Sequence, residues 1–196
     1  MTVLVRVGTV AASRRFGFEL VKPSSVVVTG SGSETATISA LGSVEFSAAA
    51  TLSLNDVFSS GYDNYMLVMR HLSSASVEYV RFRLRASGSD NSTASSYVYQ
   101  RLESGSSTVA GSRTTSNEAH SGYTSSSNRS GDTIYIYGPN LAQPTAGRSV
   151  NSNGFLGALL GDVAWTHNQS TAYDGFTIYP PSGTMSGRVA VYGMRG

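Results

Sequence analysis

The segment Tyr79–Arg85 constrains the fold of this chain more than any other. Apolar side chains alternate there with arginines in the order Tyr-Val-Arg-Phe-Arg-Leu-Arg. A period of two residues sends successive side chains to opposite faces of a strand. We therefore predict a half-buried strand whose apolar side chains lie in a core and whose arginines face water or a partner. The apolar set is Val80, Phe82 and Leu84, and the outward set is Arg81, Arg83 and Arg85.

Other short segments of strand character are separated by turns rich in Gly, Pro, Asn and Ser, and no segment shows sustained helical periodicity. This pattern is typical of an all-β protein, an antiparallel β-sandwich of jelly-roll-like type. We predict that its core also contains Ile134, Ile136, Phe176, Ile178, Val189 and Val191. Further predicted strands are 35–39, 43–47, 96–102, 107–115, 132–137, 148–150, 154–160, 163–166, 175–179 and 188–192.

Three predictions concern how particular segments are placed. Residues 64–70 form a nearly continuous apolar run, so we expect a strand covered on both sides that pairs with 79–85 as a hairpin through 72–76. The polar segment 121–130 is expected to be an exposed loop.

The first thirty residues differ in sequence pattern from the rest of the chain. Two short strands, 3–7 and 16–21, precede a Lys-Pro-Ser-Ser break. We interpret residues 1–30 as an N-terminal β arm that adds a strand to a neighbour or docks on a larger assembly, and 31–196 as the sandwich domain. The alternative is that these strands belong to the same sandwich.

Composition excludes several classes of function. The chain contains no cysteine, which removes thiol catalysis, disulfides, iron–sulfur clusters and thiolate zinc sites. Its net charge is only +2, and its arginines cluster only at 81–85, so we expect no nucleic-acid partner. No apolar run approaches the ~18 residues of a membrane helix, so we expect no membrane insertion.

Chemical motifs are also lacking. The acidic residues are scattered singly among turns, and the three histidines, at 71, 120 and 167, are isolated from one another. With 34 serines in 196 residues, a Ser-His-Asp combination carries no information. We therefore expect no catalytic site, no metal and no cofactor.

Aromatic and arginine side chains remain as candidates for binding. Tyr and Trp offer rigid amphipathic area for recognising sugars or proteins. The candidate receptor-contact residues are Trp165, His167, Tyr173 and Tyr123. The outward arginines Arg81, Arg83 and Arg85 are candidate subunit contacts that either meet carboxylates of a neighbouring subunit or are solvated.

Several stretches together resemble small structural proteins of tailed bacteriophages, the minor tail or tail-fibre proteins. They are Leu52–Phe58 with Tyr62–Tyr65, Gly138–Thr145, Thr166–Pro180 and Gly187–Gly193. The last two contain a closing phrase, Gly-Phe-Thr-Ile-Tyr-Pro followed by Gly-Arg-Val-Ala-Val-Tyr-Gly. The resemblance covers about residues 35–196. It implies a homo-oligomer, most often a trimer, that attaches the particle to a host surface or decorates it, and it supplies no catalytic motif.

We therefore expect a virion protein, in a tail fibre or tail tip, that binds other virion proteins through its N-terminal arm. Its receptor would be a host-surface glycan or protein. One alternative is a capsid decoration protein of the same fold. Another is a tail-associated carbohydrate-active enzyme, which requires two acids converging in a groove.

Overall fold

A computed structural model of the chain describes residues 17–75, 78–105, 107–153 and 159–195. These ranges contain sixteen strands and no helix, hence no helix that would cross a membrane. The strands are β1 (Gly17–Val21), β2 (Ser25–Thr29), β3 (Thr35–Ile38), β4 (Val44–Ala49), β5 (Thr51–Asn55), β6 (Asn64–Ser73), β7 (Glu78–Ala86), β8 (Ser89–Asp90), β9 (Tyr97–Ser104), β10 (Ala110–Ser116), β11 (Ala119–Thr124), β12 (Ser130–Tyr137), β13 (Thr145–Asn153), β14 (Leu159–His167), β15 (Gly175–Tyr179) and β16 (Met185–Arg195).

The strands form two antiparallel sheets, consistent with the predicted β-sandwich. The large sheet has ten strands in the order β10-β9-β14-β13-β12-β6-β16-β4-β3, and β1 joins the edge of β16 beyond β4. The small sheet has six, in the order β11-β7-β15-β5-β2, with β8 paired to the end of β7. Most neighbours in both sheets are distant in sequence, so the order reflects packing between the sheets more than local turns.

The core lies between the two sheets and contains the side chains predicted from alternation. All nine predicted core residues are at most 1 % exposed. In β7 the apolar side chains Val80, Phe82 and Leu84 are fully buried. Phe82 packs against Trp165 of the large sheet and Phe176 of the small sheet, with ring centroids 5.4 Å apart in both pairs. Alternation therefore identified the inward face correctly.

The predictions for β6 were wrong in two respects. The strand is not covered on both sides, because exposed and buried positions alternate along it and Val68 on its outer face is 42 % exposed. It also forms no hairpin with β7. β6 pairs with β12 and β16 in the large sheet, whereas β7 pairs with β11 and β15 in the small sheet. The chain crosses from one sheet to the other between them.

The described part of the N-terminal segment belongs to the sandwich. β1 pairs with the end of β16, from Val21 opposite Val191 to Gly17 opposite Arg195, and β2 pairs along the whole of β5. β1, within the predicted strand 16–21, thus belongs to the sandwich as the alternative held, and β2 is a further strand of the sandwich that was not predicted. Residues 1–16, including the predicted strand 3–7, lie outside the described residues.

The segment 121–130 is only in part the exposed loop that its composition predicted: residues 126–129 are exposed and lie outside any strand, whereas the residues on either side of them are mostly buried. Its first residues belong to β11, and Ser121, Thr124, Ser125 and Ser130 are each at most 2 % exposed. The hydroxyl groups of Ser121 and Thr124 bind Asp132 and His71 of the large sheet, and the Ser125 hydroxyl accepts from the backbone amides of Ser127 and Asn128. Serine-rich composition therefore did not indicate exposure along the whole segment.

Candidate functional site

An open polar cleft of about 420 Å³ lies where the β7–β8 hairpin, the chain leading into β9 and the chain leading into β15 meet. Most of its lining side chains carry a hydroxyl, amide or carboxyl group. They are Ala86, Ser89, Asp90, Asn91, Ser92, Thr93, Thr171 and Tyr173. Such a lining offers hydrogen-bond donors and acceptors at close spacing.

Backbone geometry holds the rim of the cleft in place. Ser87 and Gly88 have φ angles of 51° and 77°, the positive values that a tight hairpin turn requires. The Ser87 amide donates to the Asp174 carboxylate at 2.7 Å, which ties this turn to the chain before β15. The Thr93 amide donates to Asn91 Oδ1 at 3.1 Å, which closes a local turn. The cleft is therefore formed before a ligand arrives.

The cleft contains one carboxylate, and that group is already engaged. Asp90 accepts hydrogen bonds from the guanidinium of Arg85 and, at 2.6 Å, from the hydroxyl of Thr177. Hydrolysis of a glycosidic bond by the usual mechanism requires a second acid across the cleft, and no second acid is among the described residues that line it. The lining offers hydrogen-bonding groups to a polar ligand.

Three of the four predicted receptor contacts are buried: Trp165 and His167 lie in the core, and Tyr173 lies at the wall of the cleft. Trp165, His167 and Tyr173 are at most 2 % exposed. His167 Nε2 lies 2.5 Å from the Tyr173 hydroxyl, and the His167 ring packs 4.1 Å from that of Tyr97. Burial lowers the pKa of His167 to about 4. Tyr173 lines the cleft and accepts a hydrogen bond from Asn91 Nδ2 at 2.8 Å, whereas Trp165 and His167 are not among the lining residues.

The fourth, Tyr123, belongs to a separate aromatic cluster between β7, β9 and β11. Its ring lies 4.0 Å from that of Tyr79, and burial raises its pKa to about 12. His120 is stacked between Tyr79 and Tyr99 at 5.0 and 4.3 Å. Neither ring nitrogen of His120 has a hydrogen-bond partner among the described residues. Burial, reinforced by the charges of nearby arginines, lowers its pKa to about 3.

The arginines of β7 find their carboxylates within the same chain. Arg81 and Arg83 both pair with Glu118, which is 7 % exposed and also accepts from the Tyr179 hydroxyl. Arg85 pairs with Asp90. The predicted alternatives were carboxylates of a neighbouring subunit or solvent. The structure shows a third arrangement, in which internal ion pairs cover the outer face of the small sheet.

A polar network inside the sandwich was missed at the sequence level. His71 lies 3.2 Å from the hydroxyl of Thr124 through Nδ1 and 3.2 Å from the carboxylate of Asp132 through Nε2. Hydroxyl, imidazole and carboxylate stand in the order of a nucleophilic triad. All three residues are at most 2 % exposed, however, so no substrate reaches the hydroxyl.

The network has a structural role instead. Asn151 binds the backbone of Tyr123 through both amide atoms at 3.2 Å, and its Nδ2 also donates to Asp132. Ser121 donates to the same carboxylate at 3.2 Å. These bonds fasten β11 to the large sheet across the core. No group of three or more potential metal ligands occurs among the described residues.

No family model matches the chain, and neither the curated proteins nor the solved structures include one with significant similarity to it. The residues of the closing phrase nevertheless occupy central places in the fold. Gly175–Tyr179 is the central strand of the small sheet, and Gly187–Gly193 lies in β16, between β6 and the strands β4 and β1. The phrase thus marks strands that hold the sandwich together.

Proposed function

We propose that the chain is a non-enzymatic structural protein of a tailed-bacteriophage particle, located in a tail fibre or tail tip, which helps to attach the particle to its host. The observation that carries the proposal is the contrast between a sealed core and an open, preformed polar cleft. Every described histidine is buried, at most 5 % exposed, and the cleft offers binding groups without a pair of acids.

The chemistry of the cleft favours a glycan of the host surface as its ligand. Saccharides present many hydroxyl groups, and a rim of hydroxyl and amide side chains matches them in both donors and acceptors. Ser92 and Thr93 are exposed at this rim. Single sites of this kind bind weakly, so attachment would require several copies acting together. A homo-oligomer, with a trimer favoured by the motif resemblance, is therefore part of the proposal.

Binding to whole cells tests this function. Fluorescently labelled full-length chain is mixed with a panel of bacterial strains, and bound label is measured against concentration. The proposal predicts saturable binding to at least one strain and competition by glycan released from that strain. Absence of saturable binding, together with co-sedimentation with empty heads, would instead assign the chain to capsid decoration.

Two variants test whether the cleft carries the binding. Ser92→Ala combined with Thr93→Val removes two exposed hydroxyls from the rim, so binding is expected to weaken about fivefold or more, since one net hydrogen bond contributes roughly 1 kcal/mol. Thr37→Val, on an exposed position of the edge strand β3, is the matched control and should bind like the wild type. Equal binding by the wild type and both variants would show that the receptor site lies elsewhere on the chain.

A further inference from the structure

Asn91, at the wall of the polar cleft, is held by hydrogen bonds at each of its polar groups. Its backbone amide donates to the Leu84 carbonyl at 2.8 Å, and its backbone carbonyl accepts from the Tyr97 hydroxyl at 3.2 Å. Its side-chain Oδ1 accepts from the Thr93 amide at 3.1 Å, and its Nδ2 donates to the Tyr173 hydroxyl oxygen at 2.8 Å. The side chain is therefore fixed before a ligand arrives.

These contacts also determine which end of the Asn91 side-chain amide is the donor. A backbone N–H can only donate, so the atom that faces the Thr93 amide is the oxygen, and the NH₂ group faces Tyr173. An NH₂ group has two hydrogens to donate. Asn91 lines the cleft, and its Nδ2 makes no second hydrogen bond among the described residues. One N–H of this group is thus left for a ligand.

A buried histidine orients the hydroxyl group that holds Asn91. Tyr173 has one hydroxyl hydrogen, and its oxygen accepts from Asn91, so this hydrogen is available to His167 Nε2, which lies 2.5 Å from the oxygen. Nε2 is then the acceptor, which assigns the neutral Nδ1–H tautomer to His167. Both residues are buried. The donor of the cleft is therefore aligned from the core, by His167 through Tyr173.

His167 also contacts the second tyrosine that holds Asn91. Its ring packs 4.1 Å from that of Tyr97 and 5.4 Å from that of Tyr173. The Tyr97 hydroxyl binds the backbone carbonyl of Asn91, and the Tyr173 hydroxyl binds its side chain. A side chain held in this way loses little rotamer freedom when it binds a ligand, so its hydrogen bond contributes more to affinity.

We infer that Asn91 is the hydrogen-bond donor that fixes the ligand in the cleft, and that Tyr173 and His167 are positioning residues that act through it. The ligand would present an acceptor oxygen to Nδ2, as the hydroxyl and carbonyl oxygens of a glycan do. This role rests on the proposed function, since the site is the same cleft, and it adds the residue on which binding depends most.

A double-mutant cycle in the whole-cell binding assay tests this role. Asn91→Ala removes the donor and should weaken binding about tenfold, and Tyr173→Phe releases the donor from its partner and should weaken binding about fivefold. Because Tyr173 acts through Asn91, the variant with both substitutions should bind like Asn91→Ala, to within about twofold. Independent contributions would multiply to about fiftyfold, which would overturn the coupling between the two residues.

Tyr179→Phe is the matched control, because the Tyr179 hydroxyl binds Glu118 and this tyrosine does not line the cleft. It should bind like the wild type. His167→Leu removes the acceptor for the Tyr173 hydroxyl and should weaken binding as Tyr173→Phe does. His167→Gln, whose side-chain oxygen can accept from the same hydroxyl, should restore most of the binding. Equal losses in the two His167 variants would overturn its positioning role.

Asn91→Asp gives the same readout if circular dichroism shows that Asn91→Ala is unfolded, because it removes the donor and keeps the acceptor for the Thr93 amide. Full binding by a folded Asn91 variant would overturn the inferred role and leave host attachment to other groups of the chain. A wild-type chain that binds no strain would overturn the proposed function and this role together.

Discussion

The outer faces of the two sheets differ in how much of their charged and apolar area is covered by contacts within the same chain. On the small sheet, arginines of β7 are matched by Glu118 and Asp90 within the same chain. On the large sheet, Leu102, Val150 and Leu160 are about half exposed or more. Both faces carry ion pairs within the chain, but those of the small sheet are more buried than those of the large sheet. The large sheet also has apolar area without a cover among the described residues.

This difference indicates on which surface a partner would displace fewer contacts of the chain itself. A carboxylate of another protein would have to displace Glu118 from its two arginines, which costs a buried ion pair. An apolar side chain that packs on Leu102, Val150 and Leu160 would displace only water. The arginine cluster that dominates the sequence thus stabilises the fold, and the inconspicuous leucines and valines of β9, β13 and β14 are the better candidates for contact.

Removal of Arg85 should give the largest effect on stability. Its side chain is 10 % exposed and binds Asp90, Ser53 and Thr177. Arg85→Met would leave a partly buried carboxylate without its cation, so we expect a loss of about 3 kcal/mol in the free energy of unfolding, measured with urea. Arg148→Met on the large sheet, in a pair with 58 % exposure of the arginine, is the control and should change little. Equal losses in the free energy of unfolding would show that the ion pairs of the two faces contribute equally to stability.

Glu118→Gln should have the next largest effect. The substitution keeps the shape of the side chain and removes the charge that holds Arg81 and Arg83. We expect a loss of about 2 kcal/mol, as for a charge-assisted hydrogen bond that loses its charge. The same measurement on Glu45→Gln, whose carboxylate is 55 % exposed on the large sheet, should show no clear change. If neither substitution changed the free energy of unfolding, the stability of the small sheet would not depend on its ion pairs.

Stability should fall in acid because two histidines are buried in neutral form. His120 has a pKa of about 3 and His167 of about 4 in the folded chain, against 6.5 ordinarily. The unfolded chain binds more protons between these values, so the free energy of unfolding decreases as the pH is lowered from 6.5, by up to about 1.4 kcal/mol per pH unit for each histidine.

His120→Phe isolates one of these contributions. The phenyl ring fits between the two tyrosine rings and cannot be protonated, so the decline between pH 6.5 and 4 should become shallower. Urea titrations at several pH values measure the slope. An unchanged slope would show that His120 is solvated, contrary to its stacked position.

The smallest effect is expected on the outer face of the large sheet. Val150→Thr places a hydroxyl at a 47 % exposed position, and we expect a change within about 0.5 kcal/mol. Val189→Thr, the same substitution at a 1 % exposed position of β16, should cost about 2 kcal/mol because the hydroxyl is buried. If Val150→Thr were as costly as Val189→Thr, the outer face would already be covered in the isolated chain.

The periodicity of apolar residues correctly predicted local features of the fold, namely the bounds of a strand and the side chains that face the core. β15 was predicted with its observed bounds, and the inward face of β7 followed from alternation alone. Pairing was not predictable in the same way. The run 64–70 and the strand 79–85 are close in sequence, yet they lie in different sheets, because each sheet assembles from strands far apart in the chain.

The buried polar residues were the least predictable part. Ser121, Thr124 and Asn151 have the composition of exposed turns, and only the positions of His71 and Asp132 on neighbouring strands make their burial favourable. The cleft was missed for a related reason, since its lining comes from two loops about eighty residues apart. Aromatic content pointed to Trp165, His167 and Tyr173, of which only Tyr173 lines the cleft.

A reconstruction of the intact particle by electron cryo-microscopy tests the central claim most directly. We predict density for the β-sandwich in the tail fibre or tail tip, in several copies related by symmetry. Density for the sandwich only on the capsid shell, or no such density in purified particles, would contradict it.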